Sequence, residues 1–311
     1  MNKSSNTDYK FLSMMLICIV SWACAFPFIK LVLREVSYVT LTILRFLVVC
    51  IASLVVITLK YKILTPLRKK DVIPIFLLGL FGVMGYHFSL NYGEEYVSSS
   101  VASLIVATIP VFSVIFAVII LKERLTVWRL AGLLAGLTGV TVISLLGIRD
   151  TTLEVKYVSG LLAVLASAIL GSLYSIFGKK LLVRYSGLSL TLYALLLGSI
   201  ILIPSAAMYT SLIDEISRVS LVSWLSVIFL GLVSTTLAYV LWYMALERRA
   251  ASEISIYLYG VPLLSTLISY ILFNEQLTMY FFIGAGLIIT GLACINKKSN
   301  KRSQDYESNE L

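Results

Sequence analysis

Long apolar blocks alternate along this chain with short clusters of charged and polar residues. A helix needs about 20 mostly apolar residues to cross the hydrocarbon core of a bilayer. Ten blocks meet that requirement: 11–33, 38–59, 72–92, 96–121, 127–147, 157–178, 187–209, 221–246, 250–273 and 278–295. The pattern predicts an all-α membrane protein of ten transmembrane helices joined by short loops. The longest connections are 60–71, 148–156 and 210–220, and the polar tail 296–311 is expected to be disordered. The amino terminus imitates a secretory signal, with Lys3, Lys10, an apolar run and Ala23-Cys24-Ala25. The apolar stretch continues through Phe26, Pro27 and Phe28 to Leu33, too long for a signal core, so it reads as a retained first span.

Composition agrees with this pattern. Of 311 residues, 59% are apolar and 13% charged, and the mean hydropathy is +0.96. A water-soluble globule of this length lacks the interior to hide so many apolar side chains. Cys18, Cys24, Cys50 and Cys294 all lie in apolar runs without short Cys spacings, and the chain has one histidine. No metal site, cofactor or disulfide framework is therefore expected.

The charge pattern sets an orientation. With ten spans and a cytoplasmic start, nineteen of the 25 basic residues fall in segments on the cytoplasmic side, as the positive-inside rule requires. Both termini are expected in the cytoplasm. The net charge of +9 is thus a matter of topology and of contact with anionic lipid headgroups, and no nucleic-acid partner is expected.

The chain also resembles itself. At an offset of 152, residues 101–143 align without gaps to 253–295, pairing Ser103/Ser255, Pro110/Pro262, Ser113/Ser265, Glu123/Glu275, Leu125/Leu277, Thr126/Thr278, Gly132/Gly284 and Gly139/Gly291. Extension backwards adds Glu95/Glu247 and Gly79/Gly231. The expected organisation is a first five-span repeat at 1–147, an outer linker at 148–156, a second repeat at 157–295 and the cytoplasmic tail. Because five is odd, the second repeat should sit upside down relative to the first. Inverted repeats place a binding site between the halves and move by alternating access.

With those features in place, the chain resembles the drug/metabolite transporter superfamily, in particular its EamA-type ten-span members. The resemblance rests on Trp22 to Lys30 in the first span, Arg45-Phe46 in the second, and the duplicated Pro…Glu-x-Leu-Thr…Gly pattern from Pro110 to Gly139 and Pro262 to Gly291. It implies a carrier of small metabolites, often an exporter, with spans 5 and 10 peripheral. The superfamily's small multidrug members depend on a first-span Glu for proton-coupled export of cations, and this first span has none.

Candidate substrate-binding residues follow from polar or aromatic groups inside the spans. Arg45 lies ~10 Å deep at 1.5 Å per residue, where an arginine costs at least ~2.5 kcal/mol on insertion scales. It faces a pathway, or it is an anchor that snorkels or pairs with Glu35, Glu94 or Glu95. Lys30 contacts substrate or snorkels, and His87 is a proton-coupling group or a neutral helix-bonded histidine. Ser255, Tyr259, Pro262 and Thr266 share a face at ideal helical spacing, as do their counterparts Ser103, Ala107, Pro110 and Val114. These two faces are either opposed cavity walls or simple packing. Trp22, Tyr174, Tyr239 and Trp242 offer aromatic bodies with polar tips for an amphipathic substrate, with Phe26 an apolar ring and Ser175 and Thr235 hydroxyls beside them, or these residues pack among themselves. Pro27, Pro110 and Pro262 are candidate kinks or gates. Glu123, Thr126, Glu275 and Thr278 read as helix-end caps, and Gly132, Gly136, Gly139, Gly284 and Gly291 as close-contact positions. Glu253 is the single acid inside these span boundaries, an inner-end ion-pair partner for Arg248 or Arg249.

The function expected is transport of small polar or amphipathic metabolites, such as amino acids, in a cell membrane by a monomer or homodimer. Lys30 and Arg45 without a deep acid tilt the expectation to zwitterionic or anionic solutes. A flippase for a lipid-linked headgroup is the alternative. A membrane-embedded transferase would want clustered Asp or a His/Asp pair, so no enzyme is expected.

Overall fold

A computed structural model describes residues 3–147, 155–273, 279–280, 282–291 and 293–294. Every regular element among the described residues is helical. Eight helices are long and apolar enough to cross a membrane, and Val127–Gly139 and Phe282–Gly291 are shorter apolar stretches. The helices are α1 (Lys3–Val32), α2 (Tyr38–Lys60), α3 (Lys69–Tyr96), α4 (Ser99–Leu121), α5 (Val127–Gly147), α6 (Val155–Leu181), α7 (Gly187–Met208), α8 (Leu221–Arg248), α9 (Ala251–Leu272) and α10 (Phe282–Gly291). The expected linker 148–156 falls almost wholly outside the described residues, as do the tail, Glu275 and Thr278.

Helix starts follow local chemistry. Ser37, Ser98, Ser186 and Ser220 are extended N-caps whose hydroxyls accept from an amide three residues on, each cap typically stabilising by about 1 kcal/mol. Thr126 does the same for α5 by accepting from the Arg129 amide at 3.3 Å. Glu123 reaches further than the spacing implied: its carboxylate accepts from the Ala251 and Ser252 amides and the Ser252 hydroxyl, capping α9 in the other repeat.

Irregular turns recur at equivalent places. A π-helical turn interrupts α3 at Leu80–Gly85 and α8 at Leu230–Leu237. Thr235 and Thr236 also donate their hydroxyls to the Leu230 and Gly231 carbonyls five residues back in this wider turn. The α4 helix breaks at Ala107–Thr108, just before Pro110. In α9 a 3₁₀ turn, Ser255–Tyr259, precedes Pro262. The α1 helix continues through Pro27.

One large apolar core joins α1 to α4 with α6 to α9. A smaller cluster of Leu104, Ala107, Val114, Leu133, Ile256, Tyr259 and Ile288 attaches α5 and α10 to α4 and α9. The two attached helices meet at glycines. A Cβ on Gly139 would lie 2.6 Å from the Gly284 carbonyl oxygen, and one on Gly291 2.8 Å from that of Gly132. Gly132 and Gly284 are repeat counterparts, as are Gly139 and Gly291, so the two helices cross in opposite directions about a point between equivalent glycines. Gly136 accommodates the ring of Tyr259.

Candidate functional site

The helix ends are tied by one arrangement built twice. At the end of α1, Lys30 donates to the carbonyls of Glu94 (2.6 Å) and Val97 (3.0 Å), the last turn of α3. At the end of α6, Lys179 donates to the carbonyls of Leu246 and Arg249 (3.0 Å), the last turn of α8. The lysines are 149 residues apart and their acceptors 152, so a three-residue length difference separates the first two helices of each repeat from the rest. The adjacent carboxylates repeat the theme: Glu95 accepts from the Tyr38 amide opening α2, and Glu247 from the Gly187 amide opening α7. Lys30 is thereby a cap on orphan carbonyls and does not reach the cleft described below.

Between the two repeats lies a cleft of about 550 Å³, including the part open to solvent. Its walls are aromatic: Trp22 and Phe26 from α1, Tyr86 from α3, Tyr174 from α6, and Tyr239 and Trp242 from α8. Val106, Ala107 and Ile109 of α4, Leu258 and Val261 of α9, and Gly171 and Ser175 of α6 complete the lining. The pairs Trp22/Gly171 and Phe26/Ser175 stand 149 apart, and Val106/Leu258 and Ile109/Val261 stand 152 apart. Equivalent positions of the two repeats therefore face each other across the cleft.

Hydrogen bonds fix the aromatic walls. The Trp22 indole donates to the Ser234 carbonyl at 2.9 Å and the Trp242 indole to the Ser175 hydroxyl at 3.0 Å. Tyr239 packs edge-on to Trp22 at 5.9 Å and tilts against Tyr174 at 5.3 Å. Tyr174 stacks on Tyr243, whose hydroxyl donates to the Tyr174 carbonyl. The Tyr174 hydroxyl itself is buried and has no hydrogen-bond partner among the described residues.

Of the residues singled out in the sequence, the structure brings Trp22, Phe26, Ala107, Tyr174, Ser175, Tyr239 and Trp242 to the cleft. The Ser103 and Ser255 hydroxyls turn back to the Ser100 and Ser252 carbonyls of their own helices. Tyr259 is buried against α5, donating to the Leu133 carbonyl, and Thr266 is absent from the lining. The α9 wall is instead Leu258 and Val261. The ideal-helix face failed because Ser255–Tyr259 winds as a 3₁₀ turn, with about three residues per turn. Tyr86, Val106, Ile109, Gly171, Leu258 and Val261 went unnoticed. Offsets of 149 and 152 applied to Trp22, Phe26 and Ala107 would have pointed to their neighbourhood.

Arg45 and His87 lie behind the cleft. Arg45 is 1% exposed and donates through Nε to the Thr235 hydroxyl at 2.9 Å and through Nη2 to the Ser234 hydroxyl at 3.4 Å. It thus anchors on the π-helical turn of α8, by hydroxyls where a pairing with Glu35, Glu94 or Glu95 had been the alternative. Its Nη1 has no partner among the described residues. His87 packs against Phe46, Tyr86 and Tyr239, and both its ring nitrogens are likewise unpartnered. Glu253 pairs with Arg249 at 2.7 Å and also with Arg129 at 3.0 Å. One expectation is corrected: α3 runs to Tyr96, so Glu94 and Glu95 belong to its span and Glu94 is fully buried.

The profile of the EamA-like transporter family matches residues 10–145 and 158–297. An "Uncharacterized transporter" of Archaeoglobus fulgidus is 35% identical over 280 residues, 89% of this chain and 95% of the relative. A protein of Streptantibioticus cattleyicolor named "Probable terminal-alkyne amino-acid exporter" is 29% identical, over 94% of this chain and 95% of its own. "Uncharacterized transporter YdfC" of Bacillus subtilis is 31% identical, over 92% and 90% respectively. A solved crystal structure at 21% identity aligns with a TM-score of 0.73, covering 94% of this chain and 98% of that one, a likeness of fold.

Proposed function

The chain belongs to the EamA-like transporter family, and on that footing we propose that it carries small polar or amphipathic metabolites, such as amino acids, outward across a cell membrane. It is a multi-pass membrane protein. In this reading it has ten spans, both termini in the cytoplasm, and two inverted halves that rock about the cleft to give alternating access. Lys30 then holds the outer end of the bundle and Lys179 the inner end.

The observation that carries the reading is the cleft, lined from both repeats by equivalent positions and walled by six aromatic rings. Aromatic faces hold the apolar part of a small solute, while the Ser175 hydroxyl and the buried Tyr174 hydroxyl hold its polar part. The amino-acid exporter among the relatives supports that substrate class. The test is uptake of a panel of labelled amino acids into proteoliposomes, beside empty vesicles and the Tyr239→Ala variant. At least one amino acid is expected to cross at least tenfold faster with the protein, and Tyr239→Ala to lose most of that rate. A panel in which none crosses faster than in empty vesicles overturns the reading.

A further inference from the structure

His87, Asn91 and Glu94 stand at i, i+4 and i+7 on the last helical segment of α3, and so share one face. All three are buried to within 2%. Each carries a polar atom without a hydrogen-bond partner among the described residues: both His87 nitrogens, Asn91 Oδ1 and Glu94 Oε1. Asn91 otherwise donates to the Thr42 hydroxyl at 2.9 Å, and Glu94 Oε2 accepts from the Ser99 hydroxyl at 3.3 Å. Four orphaned buried atoms on one helical face are a departure from how folded proteins pair such groups. The row runs from the α1–α3 corner, where Lys30 binds the Glu94 carbonyl, to the cleft-lining ring of Tyr239, which His87 touches at 5.6 Å.

We propose that Glu94 is a proton-binding site of the carrier, joined to the cleft by Asn91 and His87. The proposal rests on the transporter reading above. The charged groups facing the Glu94 carboxylate are Lys30 from α1 and Arg45 from α2; α4 presents the neutral Ser99 hydroxyl. From α6 the turn at Gly93 meets the Val164 side chain and the Gly160 carbonyl, neither of which is charged, and from α3 itself the Tyr86 phenol faces Glu94. Arg34 and Glu95 face Lys30 in turn. A hydronium ion on the outer side gives up a proton, its O–H bond breaking as one forms on the carboxylate, and leaves water and a neutral acid. Release breaks that new O–H bond and returns the proton to water or to a neutral His87 on the cleft side.

The consequence falls on the Lys30 corner. With Glu94 ionised, the ammonium sits beside an opposite charge as well as on two carbonyls. Protonation removes the charge and leaves the carbonyls alone, so the corner loosens. The counterpart of Glu94 in the second repeat is Leu246, and the Lys179 corner has no acid at that position. Lys179 faces Glu123 and Glu247 instead, whose carboxylates accept from the Ala251 and Gly187 amides. The Lys30 corner faces a buried acid with an oxygen unpartnered among the described residues, so the two ends differ in their response to a proton.

The test is pH-difference infrared spectroscopy of the full chain in liposomes, read at the carbonyl stretch of protonated carboxylic acids. Wild type is expected to gain a deuterium-sensitive band on acidification that Glu94→Gln lacks, that Glu94→Asp shifts, and that Glu95→Gln retains. Uptake of the amino acid moved fastest by wild type should lose its dependence on external pH in Glu94→Gln. The same band in wild type and Glu94→Gln overturns the proposal, as does an unchanged pH dependence of uptake. Failure of the transporter reading is distinct: wild type would move no amino acid while the infrared difference stood.

Discussion

The Lys30 and Lys179 corners are two copies of one joint. Each lysine ends the first helix of its repeat and holds the two carbonyls that close the third. Each is flanked by a carboxylate that caps the second helix. The copies diverge in their buried acid, Glu94 in one standing where the other has Leu246, while the Lys179 ammonium faces Glu123 and Glu247. What both copies keep answers a need of the fold, since a helix end in an apolar interior must have its carbonyls satisfied. What one copy has and the other lacks requires a different explanation, because burying a carboxylate costs several kcal/mol (~) unless it is compensated. The comparison divides structural polar residues from functional ones within a single chain.

Removing the lysines should have the largest effect. Lys30→Met and Lys179→Met each strand two carbonyls, at about 1–3 kcal/mol for each unsatisfied group. Both are expected to lower the midpoint of thermal unfolding in detergent. Lys30→Met should cost more, because it also removes one of the two cations that face Glu94, and the gap should close in a Glu94→Gln background. Equal losses in both backgrounds would break the distinction between the corners.

A second duplicated contact gives a smaller effect. Gly79 of α3 abuts the Ala194 carbonyl of α7, and its counterpart Gly231 of α8 abuts Val48 and the Arg45 carbonyl of α2. Gly79→Ala is expected to destabilise by about 1–3 kcal/mol, the usual range for overpacking, because the backbone it meets cannot turn aside. Gly231→Ala meets Val48 and the Arg45 carbonyl at 2.6–3.0 Å, a looser approach than that of Gly79 to the Ala194 carbonyl, and should cost less. Gly286, with nothing within 4 Å of its Cβ position, provides the control: Gly286→Ala should raise the unfolding midpoint slightly, as alanine favours a helix over glycine.

The smallest effect concerns the loops. The Ser220 amide and hydroxyl both donate to Glu35 at 2.8 Å and hold its carboxyl below the ordinary 4.5, with partial burial opposing. A depressed carboxylate stabilises the fold above its unfolded pKa, and the contribution disappears as pH falls through the folded value. Wild type should therefore lose its small advantage over Glu35→Gln below about pH 4.5, measured as the difference in unfolding midpoint from neutral to acid. A difference that grew in acid would reverse the assigned sign.

Much of this fold was legible in the sequence because its signals are local. Apolar runs marked the spans, and matching prolines and glycines marked the repeat. Trp22, Tyr174, Tyr239 and Trp242 were legible as candidates for the cleft they line, because an amphipathic aromatic deep in a span faces either a cavity or its own kind. Other features required three dimensions. The change of offset from 149 to 152 hid Lys179 as the counterpart of Lys30, so the lysine read as a substrate contact. The 3₁₀ turn at Ser255–Tyr259 rotated the α9 wall away from its ideal-helix face. The span boundary drawn at 92 left Glu94 in a loop, where a carboxylate needs no explanation, while the helix buries it. Glu123 was recognisable as a cap, but its partner 128 residues away was not.

The proposed alternating access requires the two corners to open in turn. Spin labels at Arg34 and Tyr96 span the Lys30 corner, and labels at the equivalent Val183 and Arg248 span the Lys179 corner. Distances from each pair are measured by electron–electron resonance in liposomes with and without the fastest-moving amino acid. The ligand should shift the two distributions in opposite senses, one corner lengthening as the other shortens. Distances that shift together, or that do not respond, would contradict alternating access.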